Sequence, residues 1–316
     1  MLPPLPKGRG IRIDILMNDI TYRDRATGKL KKEKIYGKFF LETLYGNNIF
    51  SRLLLLPLFA HIPFFSKQYG KRQKRKKSRT KIIPFIRDFH VDVSEFADPI
   101  ESFNSFNDFF IRKLKPKARP IKKGSDMVVF PADGRHLVFP NLEKVEGFYV
   151  KGQKFNLRSL LDNEELVEKY REGSMVISRL CPTDYHRYHF PCSGTPGKAK
   201  LINGPLFSVN PIALRKHFSI LSENKRVITP VETTSFGTLL YIEVGATCVG
   251  SIQQTYTPEK PCKKGDEKGY FEFGGSCVIL LFEPSKIIFD QDLVETSAQY
   301  IETYAKMGTS MGKKML

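Results

Sequence analysis

Apolar positions are spaced differently in the two parts of this chain. From about residue 125 onward they fall in short runs set off by Gly and Pro: 127–130, 148–150, 175–177, 239–244, 248–252 and 277–282. Runs of that length, rich in Val, Ile and Tyr, predict β-strands, and the continuous ones predict strands buried on both faces. Earlier in the chain, residues 11–36 alternate weakly about Ala26-Thr27-Gly28, which predicts a short hairpin leading into a helix over 38–45. Residues 82–124 read as helix and loop, with an amphipathic start over 103–110 and Pro116 and Pro120 as stops. The fold class is therefore α+β. A helical, basic N-terminal region over 1–100 precedes a β-rich core over 101–316.

Between these parts lies a segment of different character. Residues 49–65 are densely apolar, yet Arg52, Pro57, His61 and Pro63 interrupt them. A spanning helix needs about 20 largely unbroken apolar residues, so this segment does not cross a bilayer. Immediately after it, residues 71–81 carry eight of the chain's 51 Lys and Arg, within a formal net charge of +18. An apolar stretch followed by a cationic run is the two-part signal of a peripheral anchor. Leu54 and Leu55 would enter the lipid, and Lys74, Arg75, Lys76 and Lys77 would sit over anionic headgroups. A buried helix followed by a solvated loop is the bland alternative. Nucleic acid also fits the charge, but no zinc-finger, RNP-like or helix-turn-helix pattern accompanies it, so no nucleic-acid partner is expected. Five Cys (181, 192, 248, 262 and 277) form no C-x-x-C pair, and their odd number predicts free thiols in a reducing compartment. With no apolar export signal at the N-terminus, the expected location is the cytoplasmic side of the cell membrane.

The candidate chemistry is concentrated in three places. In Phe273-Gly274-Gly275-Ser276-Cys277, a Ser hydroxyl follows two residues without side chains, which tolerate the strained backbone that attack on a neighbouring carbonyl requires. A hydroxyl nucleophile needs a base, and the base needs an orienting group. Asp133, in Pro131-Ala132-Asp133-Gly134, and the histidines of Asp184-Tyr185-His186-Arg187-Tyr188-His189 can supply them. A serine hydrolase would want G-x-S-x-G, whereas Val278 stands where its second Gly would fall. The histidine pair could share a helical turn and bind metal, but there is no H-E-x-x-H and no third ligand pattern, so no metal is expected.

Six segments together resemble the phosphatidylserine decarboxylase family. They are residues 109–116 (Phe-Phe-Ile-Arg-Lys-Leu-Lys-Pro), 131–134, 184–189, 206–210 (Leu-Phe-Ser-Val-Asn), 244–252 (Val-Gly-Ala-Thr-Cys-Val-Gly-Ser-Ile), and 264–269 (Lys-Gly-Asp-Glu-Lys-Gly) before Phe273-Gly274-Gly275-Ser276. The resemblance implies a self-made cofactor. Ser276 Oγ, assisted by His186 and Asp133, would attack the carbonyl of Gly275 to give an ester. Elimination would then release a fragment ending at Gly275, and residue 276 would become a covalent pyruvoyl group that serves as electron sink. The implied substrate is phosphatidylserine and the product phosphatidylethanolamine, with His189 as proton donor. The implied partners are an anionic membrane surface and the chain's own second fragment, in a heterodimer that could assemble further. A departure from the family pattern is Cys277, in place of the usual Ser or Thr, which sets a second nucleophile beside the first. The alternatives are a lipid-acting serine hydrolase built on an Asp-His-Ser triad, or an unprocessed relative that binds acidic membranes.

Overall fold

Strand Ser276–Phe282 is apolar from Cys277 onward because it lies inside the main sheet, with a buried layer on either side. Alternate residues face opposite ways along a strand. Cys277, Ile279 and Leu281 pack into one core with Met175, Ile177, Leu240 and Ile242. Val278, Leu280 and Phe282 pack into a second core with Val176, Leu239 and Tyr241. The computed structural model describes residues 20–45, 60, 63–145, 149–150, 153–154, 156–214, 217, 219–246, 252–274 and 276–315. The expected strand over 248–252 and residue Gly275 therefore lie wholly or mostly outside the described residues.

The main sheet runs in the order Lys200–Ile202, Arg226–Thr233, Thr238–Val244, Ser276–Phe282, Ser174–Leu180, Gly134–Phe139, Glu302–Ala305, Thr21–Asp24 and Leu30–Lys32, with Gly194–Pro196 also paired to Arg226–Thr233. Its first core is closed by helices Leu157–Leu161 and Glu164–Tyr170, each started by an Asn whose side chain caps it. The second core is closed by two small sheets. One comprises Ile252–Gln254, Glu267–Phe271 and Arg187–His189, and the other Ile287–Phe289, Ser310–Lys314 and Met127–Val129. The α+β expectation is met, and so are the early hairpin and the helix after it, found at Thr21–Asp24, Leu30–Lys32 and Lys38–Tyr45. The hairpin does not stand apart from the β-rich part. Thr21–Asp24 pairs in parallel with Glu302–Ala305, and Arg25 reaches Asp290 and Asp292 at 2.8 and 2.7 Å.

The cationic run is helical rather than a solvated loop. It occupies the end of helix Pro63–Lys74 and the 3₁₀ turn Lys76–Lys81, followed by helix Ile82–Phe89. Its Lys and Arg side chains are exposed while Gln73 and Ser78 are buried. Ser78 Oγ donates to the carbonyl of Gln73 and accepts from the amide of Phe106, which ties the run to helix Phe106–Phe110. Beneath it Phe85, Phe96, Phe103, Phe106, Phe109, Phe110 and Phe273 form a third, aromatic core. Leu54 and Leu55 lie outside the described residues. No described helix is long and apolar enough to cross a membrane.

Candidate active site

Ser276 is the first residue of its strand, and the segment before it is held from the other side. Phe273 packs against Phe110 and Phe106 with ring centroids 4.9 and 5.1 Å away, and its amide donates to the buried Asn107 side chain at 2.9 Å. Gly274 has φ +143°, a backbone conformation that side chains rarely adopt. The turn is thus fixed at Phe273 by the aromatic core and at Ser276 by the sheet. Ser276 Oγ is fully buried and has no hydrogen-bond partner among the described residues. Buried hydroxyls nearly always have one, so this oxygen is kept for something other than packing. Cys277 points to the opposite face, into the first core, where burial pushes its thiol up to about 12. It is a protonated packing group and no rival nucleophile.

The two histidines do not share a helical turn. They flank and enter strand Arg187–His189, which pairs with Glu267–Phe271. His186 Nδ1 lies 3.0 Å from the carbonyl of Asp184. A carbonyl only accepts, so Nδ1 carries the proton and Nε2 a lone pair. Nε2 has no partner that meets hydrogen-bond geometry, although the Gly274 carbonyl is close enough to act on the ring electrostatically. The ring lies 3.9 Å from that of Phe110, and burial pushes its pKa down to about 3. His189 Nδ1 is 2.9 Å from the Gly265 carbonyl and its Nε2 is 3.3 Å from the Tyr185 hydroxyl. Burial lowers its pKa, opposed by that carbonyl and by the charges of Glu267 and Asp133.

Asp133 is buried at the start of strand Gly134–Phe139. The strand passes so close to its neighbour that a Cβ on Gly134 would sit 2.7 Å from the Arg179 carbonyl, which requires glycine there. Arg119 donates to the Asp133 carboxylate through Nε at 2.8 Å and Nη2 at 2.5 Å, and the Met307 amide donates at 2.8 Å. Asp133 makes no hydrogen bond to either histidine. Its negative charge acts on His189, opposing the effect of burial there. Lys264 reaches the carbonyls of Gly124 and Met127, as a turn-shaping residue would. Arg119, Asn107, Phe110 and Tyr185 were not singled out from the sequence. Only Phe110 and Tyr185 fall in motifs that could have drawn attention to them.

A buried, unpartnered hydroxyl at a glycine turn, with the buried imidazole of His186 beside the same turn, is suited to acyl chemistry performed by a chain on itself. Comparison with known proteins narrows that class. The family model described as phosphatidylserine decarboxylase matches residues 106–313. A phosphatidylserine decarboxylase proenzyme of Chlamydia muridarum is 49% identical over 300 residues, covering 94% of this chain and 98% of its own length. Similar proenzymes of Chlamydia trachomatis serovar L2 and Chlamydia pneumoniae are each 46% identical, over 300 and 292 residues. The chain belongs to the phosphatidylserine decarboxylase family, whose members carry a pyruvoyl group made from a serine.

Proposed function

We infer that this chain decarboxylates phosphatidylserine to phosphatidylethanolamine, and that it prepares itself by cleavage between Gly275 and Ser276. The observation that carries the reading is the fully buried, unpartnered Ser276 Oγ at the end of a clamped glycine turn. Attack of that oxygen on the Gly275 carbonyl replaces the peptide bond by an ester, and elimination leaves fragments 1–275 and 276–316 as a heterodimer. Because Ser276 stays in the middle of the main sheet, the small fragment remains bound by the strands on either side. The site residues fit a pyruvoyl group at 276: the position is fully buried, its hydroxyl has no partner among the described residues, and His186, with an unpartnered Nε2, acts on the Gly274 carbonyl two residues earlier. When in place, such a group supplies a ketone that takes up the headgroup amine and accepts the electron pair released with carbon dioxide.

We assign the two histidines the reverse of the roles expected from the sequence. What supports the exchange is the surroundings of the two rings: the Gly265 carbonyl and then the charges of Glu267 and Asp133 oppose the effect of burial at His189, whereas at His186 the charge of Arg112 adds to it. His189 then takes the Ser276 proton, with Asp133 stabilising the imidazolium and Arg119 holding Asp133 in place. His186, neutral with a free Nε2, accepts a proton from the headgroup ammonium and returns it to the headgroup carbon once carbon dioxide has left. Asp133→Asn and His189→Ala should accumulate as uncut chain on a denaturing gel. His186→Ala should cut but turn over at least a hundredfold more slowly. Uncut His186→Ala alongside normally cut His189→Ala would reverse the assignment.

The membrane reading rests on the outward-facing cations of residues 71–81 and on Ile83, which is 60% exposed just beyond them. Exposed cations with an exposed apolar side chain next to them suit the anionic headgroups of the cytoplasmic leaflet.

A further inference from the structure

Two arginines face each other directly across the centre of the main sheet. Arg135 on strand Gly134–Phe139 is the register partner of Arg179 on strand Ser174–Leu180, and both side chains are almost fully buried. Like charges directly opposite on paired strands repel, and buried ones do so with little screening. The anion between them comes from the N-terminal hairpin. The Glu33 side chain, 2% exposed, lies 2.6 Å from Arg179 Nη2 and 3.3 Å from Arg135 Nε. Against the cost of burial, Arg179 and Arg135 hold this carboxyl down at about 2. The hairpin also places the Tyr22 ring 4.8 Å from the Arg135 guanidinium. None of these hairpin residues falls within the stretch matched by the family model, which begins at residue 106 and includes both arginines.

The arginine pair is tied to the site through one turn. Arg135 Nη1 binds the Asp184 carboxylate, which also accepts from the Cys181 amide at 2.7 Å. The carbonyl of the same Asp184 orients His186 through Nδ1. We propose that Glu33 is a positioning residue for His186: by sitting between Arg135 and Arg179 it leaves Arg135 free to anchor Asp184, and so fixes the ring that faces the Gly274 turn. Without that carboxylate, Arg179 keeps a single carboxylate, that of Glu302, and the Cys181 Sγ at 3.0 Å, and the two arginines compete for Asp184. The turn over residues 181–184 then tilts, and the Asp184 carbonyl loses its hold on the ring. The hairpin thereby becomes part of the catalytic apparatus rather than an ornament on the sheet edge.

The inference rests on His186 acting in one of the two reactions, and the test separates it from the role assigned above. Self-cleavage is timed on gels, turnover is measured on the processed enzyme, and both are followed against pH in Glu33→Gln, Glu33→Asp, Asp24→Asn and His186→Ala. Asp24 braces the hairpin turn through Lys31 and Thr27 without touching the arginines, so its variant reports loosening of the hairpin alone. Glu33→Gln should slow whichever step His186→Ala slows, by about tenfold, and leave the other within twofold. The pH profile of that step should move toward acid, because the Asp184 carbonyl is one of the groups that raise the His186 pKa, alongside the Gly274 carbonyl and against Arg112. Glu33→Asp should restore at least half of the lost rate. If His186→Ala blocks cleavage instead of turnover, the assigned role fails while the inference stands, provided Glu33→Gln follows it. Should Glu33→Gln not fold, Glu33→Asp must still slow the His186 step selectively, by two- to fivefold. Equal slowing of both steps, a pattern matched by Asp24→Asn, or no effect on either step would overturn the proposal.

Discussion

Removing the carboxylate of Glu243 should destabilise the protein far more than removing Glu243 and its partner Lys268 together. Both side chains are completely buried. The Lys268 ammonium donates to Glu243 at 2.5 Å, Gln254 at 2.8 Å and Thr229 at 3.0 Å, and lies 4.7 and 4.8 Å from the ring centroids of Tyr241 and Tyr256. Each of its three hydrogens is used, and the second Glu243 oxygen accepts from Gln254. Burial nevertheless shifts both groups toward neutrality, lowering the pKa of Lys268 and raising that of Glu243. Glu243→Leu leaves a dehydrated ammonium with two neutral acceptors, at a cost of about 3–5 kcal/mol. Glu243→Leu with Lys268→Met should return to within about 1 kcal/mol of the parent, or exceed it. The assay is urea unfolding in a Ser276→Ala background, so that one uncut chain unfolds. The single variant should also regain stability as pH rises from 7 to 9. Its Lys268 pKa falls further without the carboxylate, so the folded state holds fewer protons than the unfolded one in that range. A cost below about 1 kcal/mol for Glu243→Leu, or a double variant as unstable as the single, would refute the reasoning.

Acid sensitivity follows from the buried imidazoles. Burial pushes His136 and His186 down to about 3, so below about pH 6.5 the unfolded chain binds protons that the folded chain does not. Stability of the Ser276→Ala precursor should be fully present above pH 6.5 and fall toward pH 3, by up to about 1.4 kcal/mol per pH unit for each ring. Urea midpoints that are flat between pH 7 and 5 would contradict this. On the membrane side, replacing Arg75, Lys76 and Lys77 by Gln removes three exposed cations, each worth about 1 kcal/mol at an anionic surface. Binding to phosphatidylserine-containing liposomes should drop at least tenfold, and added salt should produce a similar loss in the parent protein. Binding that ignores both changes would remove the run from the interface.

How much of this was legible beforehand depended on range. The strands over 239–244 and 277–282 were visible because both faces of the sheet are buried, so their apolar residues run without a break. The hairpin was visible from alternation and its turn residues. Asp133, His186, His189 and Ser276 stood out by residue type and motif, and all four are buried around the second core or at its edge. The different surroundings of His186 and His189 were not legible, because three residues of separation mean one thing on a helix and another at the entry to a strand. Arg119, Asn107 and Glu33 were beyond reach for a different reason: their partners lie 14, 166 and 146 residues away, and nothing local marks a side chain whose role is set by tertiary packing. The solvated-loop alternative for residues 71–81 failed on two polar residues, Gln73 and Ser78, whose burial, with the Ser78 hydroxyl bonded to the Gln73 carbonyl and the Phe106 amide, holds the run in a helix end and a 3₁₀ turn.

Whether the chain makes its own reactive group by cutting itself between Gly275 and Ser276 is read from the mass of each piece of the purified, active protein. Two fragments are expected, residues 1–275 and residues 276–316, the smaller with a pyruvoyl group in place of Ser276 and no free amino terminus. Ser276→Ala should show one intact mass and no decarboxylation. An active protein that runs as one uncut chain, or a small fragment beginning with an unmodified serine, would contradict it.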